Sequence, residues 1–173
     1  EHPEWFIAIA PENNSEVVES LSEYLAGAIP LNEKQLGLRS YFTTKGPRGP
    51  LRIAHGADKH FPPWIDTAQL DLSNSVLQAK FLGILDTLLS LTNGGGVRVD
   101  MAHLTLKDHV NSFWHHEMAE EFWPKVFSSL RAKYPTAIFM AEAYDHVEGP
   151  LQGLGFDLTY DSYLYGILLR GEH

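Results

Sequence analysis

The run Gly94-Gly95-Gly96-Val97-Arg98-Val99-Asp100-Met101 reads as a helix stop followed at once by a short buried strand that ends on polar residues. Glycines supply the backbone freedom a terminating helix needs, and Val97 and Val99 have the β-branched shape that suits a pleated, half-buried surface. A phosphate cradle has the reverse order, with its glycine turn after a strand and before a helix. Upstream, Val76, Leu77, Phe81, Ile84, Leu85, Leu88 and Leu89 recur at helical spacing behind the capping candidates Ser73 and Asn74, so a helix is expected to run into the glycines. One buried helix face explains these leucines with fewer assumptions than a dimer seam.

Downstream, Pro124 at a tolerated first-turn position and Val126, Phe127 and Leu130 on one face predict a helix from Pro124 to Tyr134, stopped by Pro135. Ala137 to Ala141 (AIFMA) is an apolar run of strand length ending on Glu142, and Phe156 to Tyr160 follows a brief Gly-flanked segment as a further extended stretch. Alternating strands and helices predict parallel strands covered by helices, because parallel neighbours need a crossover that buries its own apolar face. The class is α/β. The earlier part of the chain differs. An amphipathic helix is expected from Asn14 to Ala28, and a β-hairpin from Ser40 to Thr44 and Leu51 to His55 around the Gly/Pro turn 45–50. His60 to Leu72, with its paired prolines, should run as an ordered loop.

A chain of 173 residues, 44% hydrophobic, can bury one core of ordinary size, and no linker marks a second domain. A formal charge of -9 without any Lys/Arg-rich run excludes nucleic acid as an expected partner. The longest apolar stretch, Phe81 to Leu91, is interrupted by Gly83, Asp86 and Thr87, so no membrane span and a soluble protein are expected. The absence of cysteine excludes disulfides and thiolate metal sites. It leaves the compartment open, with the cytoplasm slightly favoured over secretion. The chain opens on Glu1 without a basic segment leading into an apolar one, so a signal peptide is absent or removed, and the lack of an initial Met suggests truncation.

Two carboxylates stand where parallel α/β folds keep their chemistry, at the C-terminal ends of expected strands: Asp100 after GVRV and Glu142 after AIFMA. On adjacent strands about 4.8 Å apart they would come within about 5 to 5.5 Å, the spacing of a retaining glycosidase. Arg98 lies two residues before Asp100, on the same side of a strand, and would keep it ionised as nucleophile. The apolar approach through Phe139 to Ala141 and the neighbouring negative charge suit Glu142 to be the proton donor. The plain alternative is an Arg98–Asp100 ion pair of structural use only, with Glu142 solvated at a strand end.

Gly96-Val97-Arg98-Val99-Asp100-Met101-Ala102-His103 resembles the nucleophile-strand motif of the α-amylase family of glycoside hydrolases. Phe139-Met140-Ala141-Glu142-Ala143-Tyr144 is similar to that family's acid/base strand. Trp64 to Leu70 resembles a loop preceding the nucleophile strand in bacterial members, and Gly155 to Asp161 the segment that follows. The resemblance implies a (β/α)8 TIM barrel hydrolysing α-glucosidic bonds of glucans or oligosaccharides with retention, or a transglycosylase of the same family. A non-catalytic sugar- or protein-binding relative is the other class. It also implies a partial barrel, about strands four to six: residues 73–173 would form barrel βα units and 1–72 the excursion after strand three, all within one catalytic segment. The family's Asn-His strand would lie upstream and its third catalytic aspartate downstream. No cofactor is implied, although calcium is compatible with a full-length parent, and the oligomeric state is left open.

His103 resembles a family position that reaches the sugar, while Trp64 and Tyr144 have the flat faces that stack on a pyranose or, equally, pack within a loop. His109, His115, His116 and Glu117 invite a zinc reading. The segment His116 to Glu120 lacks the second histidine four residues on that a zinc-binding helix requires, so a solvated helix start is the better reading.

Overall fold

The computed structural model of the chain describes residues 2–9, 17, 18, 39–47, 49–144, 146–160 and 162–171. The chain divides into two units, Glu1–Asn74 and Ser75–His173.

In the first unit, β1 (Val17–Val18), β2 (Arg39–Gly46) and β3 (Gly49–Ala54) form a three-stranded sheet in that order. The expected hairpin is present and extends further into the turn, while its second strand ends one residue sooner, at Ala54; β2 is antiparallel to β3 in a register running from Tyr41 opposite Ala54 to Gly46 opposite Gly49. The helix expected from Asn14 to Ala28 falls outside the described residues apart from Val17 and Val18, which pair in parallel with Arg39 and Ser40 as a strand. Ile7 lies against the hairpin, accepting from the Ala54 N–H at 2.9 Å and donating to the Gln69 carbonyl at 2.9 Å. Ile7, Ile53 and Ala54 are buried there. The 60–72 loop is ordered by such pairings, among them Trp64 N–H to Gly56 O at 2.8 Å and Asp71 N–H to Trp5 O at 2.8 Å.

The second unit follows the expected alternation: α1 (Ser75–Leu91), β4 (Gly96–Val99), α2 (Lys107–Phe113), α3 (Trp123–Lys133), β5 (Ile138–Ala141), α4 (Glu148–Gly153), β6 (Leu158–Thr159) and α5 (Ser162–Arg170). The sheet order is β4-β5-β6, with both pairs parallel. The glycine run ends α1 one residue earlier than its composition suggests. Asn93 takes the left-handed conformation, donating to Ser90 O at 3.3 Å, and Gly94 donates to Leu89 O at 2.7 Å, the paired bonds of a Schellman cap. Gly96 serves the sheet instead. Its φ is +153°, and a Cβ there would collide with the Ile138 carbonyl oxygen on the neighbouring strand.

The sheet has two unlike faces. Phe139 and Ala141 are buried on one face, where Trp123 and Phe127 of α3 form an aromatic cluster with Phe139 and Phe156, ring centroids 4.7 to 5.4 Å apart. Rings buried this fully supply roughly 1.5–3 kcal/mol each and hold β5 against α3. The opposite face carries Arg98, Met140 and Leu158 in one row, as the register places them, and Ile138 and Leu158 on it are exposed.

The partial TIM barrel is not formed. The described residues hold two separate three-stranded sheets, and only β4-β5-β6 is wholly parallel. Barrel closure requires enough tilted strands for the last to pair with the first; among the described residues no strand pairs with the outer edge of β4 or of β6. What stands of the expectation is α/β order with parallel strands.

The apolar stripe expected on α1 is only partly covered: Leu77, Leu85 and Leu89 are buried, whereas Val76, Ile84 and Leu88 are exposed. Ile84 and Leu88 help line a groove of about 360 Å³ on α1, which shares no residue with the carboxylate pair described next.

Candidate active site

Extending the strand register by one alternation defines the site. Arg98 pairs with Met140 and Met140 with Leu158, so the residues two further on, Asp100, Glu142 and Tyr160, form the next row on the same face. Backbone bonds continue the ladder that far: Glu142 N–H donates to Val99 O at 3.0 Å and Tyr160 N–H to Ala141 O at 3.1 Å. Adjacent strands of a sheet lie about 4.8 Å apart, which brings the carboxylates of neighbouring strands within reach of one side chain.

That side chain is Arg98. Its Nη1 binds Asp100 Oδ1, its Nη2 lies 2.9 Å from Glu142 Oε2, and its Nε donates to the Tyr160 hydroxyl at 3.0 Å. The guanidinium carbon also sits 5.3 Å from the Tyr160 ring centroid. Guanidinium donates only, so all three partners accept. The Tyr160 hydroxyl first and the Asp100 carboxylate next hold Arg98 above its ordinary pKa. The sequence placed Arg98 beside Asp100 alone; the bridge to Glu142 depends on cross-strand register.

The two carboxylates have different surroundings. Asp100 is 74% exposed and Glu142 only 11%. Glu142 Oε2 takes a second donor, the Met101 N–H at 2.8 Å, and Oε1 accepts from the Tyr144 hydroxyl at 2.8 Å. The Met101 bond follows from an unusual backbone, since Met101 is a non-glycine residue at φ +46°, a conformation that costs about 1–3 kcal/mol and is concentrated at functional sites. It turns the chain off β4 into the 3-10 turn Ala102–Thr105.

Tyr144 and His103 take supporting positions. The Tyr144 hydroxyl is committed to Glu142, and that bond, followed by burial and the nearby charge, raises its pKa. His103 is buried in the 3-10 turn, its ring edge-on to Tyr144 at 5.3 Å between centroids. Tyr144 therefore braces Glu142 through its hydroxyl. Trp64 belongs to the first unit, where its ring packs 6.2 Å from that of Phe61. The structure thus brings together Arg98, Asp100, His103, Glu142 and Tyr144, and places Trp64 in the other unit. Sequence reasoning missed Tyr160 and Met101; applying the two-residue period to the 156–160 stretch would have found Tyr160.

Asp157 has a different purpose. Burial opposes its charge, yet the Phe139 N–H at 2.8 Å and Arg131 at 2.9 Å outweigh that and hold its carboxyl below the ordinary value. It ties the start of β6 to β5. Among the described residues no three His, Cys, Asp or Glu cluster as metal ligands, and His109 stacks on Phe113 with centroids 5.0 Å apart. No helix of the described residues is long and apolar enough to cross a membrane. Compared with protein-family models, curated proteins and solved structures, the chain gives no match.

Proposed function

We propose that Asp100 and Glu142 are the nucleophile and the acid/base of a retaining glycoside hydrolase acting on α-glucosidic bonds of glucans or oligosaccharides. The observation that carries this is one guanidinium holding both carboxylates at the ends of adjacent parallel strands. A separation spanned by a single planar fork is nearer the about 5–5.5 Å of retaining enzymes than the about 6.5–9.5 Å of inverting ones. The likeness of residues 96–103 and 139–144 to α-amylase-family strands supports the same assignment; the barrel implied by that likeness forms no part of it.

The surroundings divide the roles. Asp100, more exposed and held on one oxygen by Arg98, presents its other oxygen to an anomeric carbon. Glu142 has Oε2 occupied by Arg98 and the Met101 N–H, and Oε1 accepts from the Tyr144 hydroxyl alone, so Oε1 keeps the lone pair that would carry a proton toward a leaving group. In the first step an Asp100 oxygen bonds to the anomeric carbon while the glycosidic C–O bond breaks, its electron pair taking the proton from Glu142. In the second step Glu142 removes a proton from water as that water's oxygen displaces Asp100. Two inversions give net retention. A sugar hydroxyl in place of water makes the same sequence a transglycosylation, which product analysis separates from hydrolysis.

The test is turnover of an α-glucoside with the product anomer followed by proton NMR. The expectation is an α-configured first product and loss of turnover in Asp100→Asn. A β-configured first product, or turnover unchanged in Asp100→Asn, would refute the assignment.

A further inference from the structure

We propose that Tyr160 is a positioning residue for the carboxylate pair: it sets the guanidinium plane of Arg98 so that the two terminal nitrogens meet Asp100 and Glu142 together. The effect on turnover rests on the glycosidase assignment above; the effect on Arg98 does not.

Arg98 is 41% exposed, and a long side chain that open to water samples many rotamers unless something other than the carboxylates restrains it. The two carboxylates bind only the terminal nitrogens. Tyr160 acts on the remaining freedom at two points, with its hydroxyl accepting from Nε at 3.0 Å and its ring lying 5.3 Å from the guanidinium carbon. A planar group bonded at Nε as well as at both terminal nitrogens has less freedom to rotate about its last bonds, so Nη1 and Nη2 stay directed at their two targets. Tyr160 can do this because its own backbone is pinned. Its N–H donates to Ala141 O at 3.1 Å, one residue before Glu142, so the brace and the braced acid are fixed to the same strand. The charged and titratable groups around the guanidinium come from all three strand ends: Asp100 from β4, Glu142 and Tyr144 from β5, and Tyr160 from β6. Each strand of the parallel sheet thus contributes to the site, and the two-residue strand β6 acquires a purpose beyond completing the sheet.

Tyr160→Phe keeps the ring and removes the hydroxyl, while Tyr160→Leu removes both. The direct readout is the Arg98 Nε–H cross-peak in a proton–nitrogen correlation spectrum, assigned by its disappearance in Arg98→Lys. Wild-type protein should show a shifted, slowly exchanging Nε–H, and Tyr160→Phe should move it toward free arginine and speed its exchange. In turnover of an α-glucoside, Tyr160→Phe should lower kcat by about tenfold to a hundredfold with little change in KM, as expected when a reacting group is misplaced by about an ångström. It should also move the acid limb of the pH profile, and Tyr160→Leu should do more. An unchanged Nε–H in Tyr160→Phe overturns the proposal, as does an altered Nε–H with kcat and pH profile unmoved. If the wild-type protein turns over no α-glucoside, the glycosidase assignment fails by itself, and the Nε–H signal alone still decides whether Tyr160 positions Arg98.

Discussion

Replacing Glu142 by Gln and by Ala separates its chemical role from its structural one. In Glu142→Gln the amide oxygen can take the Oε2 position, accepting from Met101 N–H and Arg98 Nη2 where those bonds now measure 2.8 and 2.9 Å. The amide nitrogen then faces the Tyr144 oxygen, 2.8 Å away in the present pairing, and a phenol accepts as readily as it donates. Every polar contact survives with only the charge lost, so the unfolding free energy should stay within about 1 kcal/mol of wild type. In Glu142→Ala the Met101 N–H loses its acceptor and the left-handed turn at Met101 loses its reward, for a cost of about 1–3 kcal/mol. Urea unfolding should therefore rank wild type and Gln together and Ala below. Activity should rank differently, because neither variant can protonate a leaving group. Both should fall by about 10²–10⁴ on an unactivated α-glucoside and by far less on an aryl α-glucoside whose phenol leaves without a proton. Gln turning over the unactivated substrate at the wild-type rate, or Ala as stable as wild type, would refute the reasoning.

Phe139, fully buried between Phe127 and the Arg131 guanidinium 5.2 Å from its centroid, should cost about 3–5 kcal/mol as Ala and much less as Leu, read from urea midpoints. A loss under about 1 kcal/mol would mean that the α3 face of the sheet is not its core. Asp157 should make stability pH-dependent. Because its folded carboxyl titrates below the unfolded value of about 3.9, its contribution is present above that pH and lost as pH falls through the folded value. At 35% exposure its paired contacts contribute about 1 kcal/mol. Thermal unfolding of Asp157→Asn should accordingly lie below wild type at pH 7 and converge with it in acid; a gap constant with pH would contradict this.

What the residues announced and what they withheld follow from how local each signal is. The helix before the glycines, the strands around Val97–Val99 and Ile138–Ala141, and the hairpin were legible because their apolar periods or turn residues lie within a few positions. Helix α2 was not legible, since Val110 is the one residue of that helix counted as buried and one position makes no period. Helix α5 (SYLYGILLR) is apolar on several sides, and Tyr163, Tyr165, Leu168 and Leu169 are exposed, so hydrophobicity there points in no direction. The barrel was a global inference from local motifs. Closure depends on which strands meet the edges of β4 and β6, which no motif within them encodes. The same limit shaped the site. The two-residue period put Arg98 with Asp100, but Glu142 joins them only through the register of β4 on β5, and the bond from Tyr144 to Glu142 is made beyond the strand end, where no period applies.

Trapping the glycosyl intermediate tests the central claim most directly. An activated 5-fluoro-α-glucosyl fluoride forms the ester quickly and hydrolyses it slowly, so intact mass should rise by one fluoroglucosyl group, and peptide mapping should place it on Asp100. The adduct should not form in Asp100→Asn. A label on another residue, or no label on wild-type protein that cleaves α-glucosides, would contradict the account.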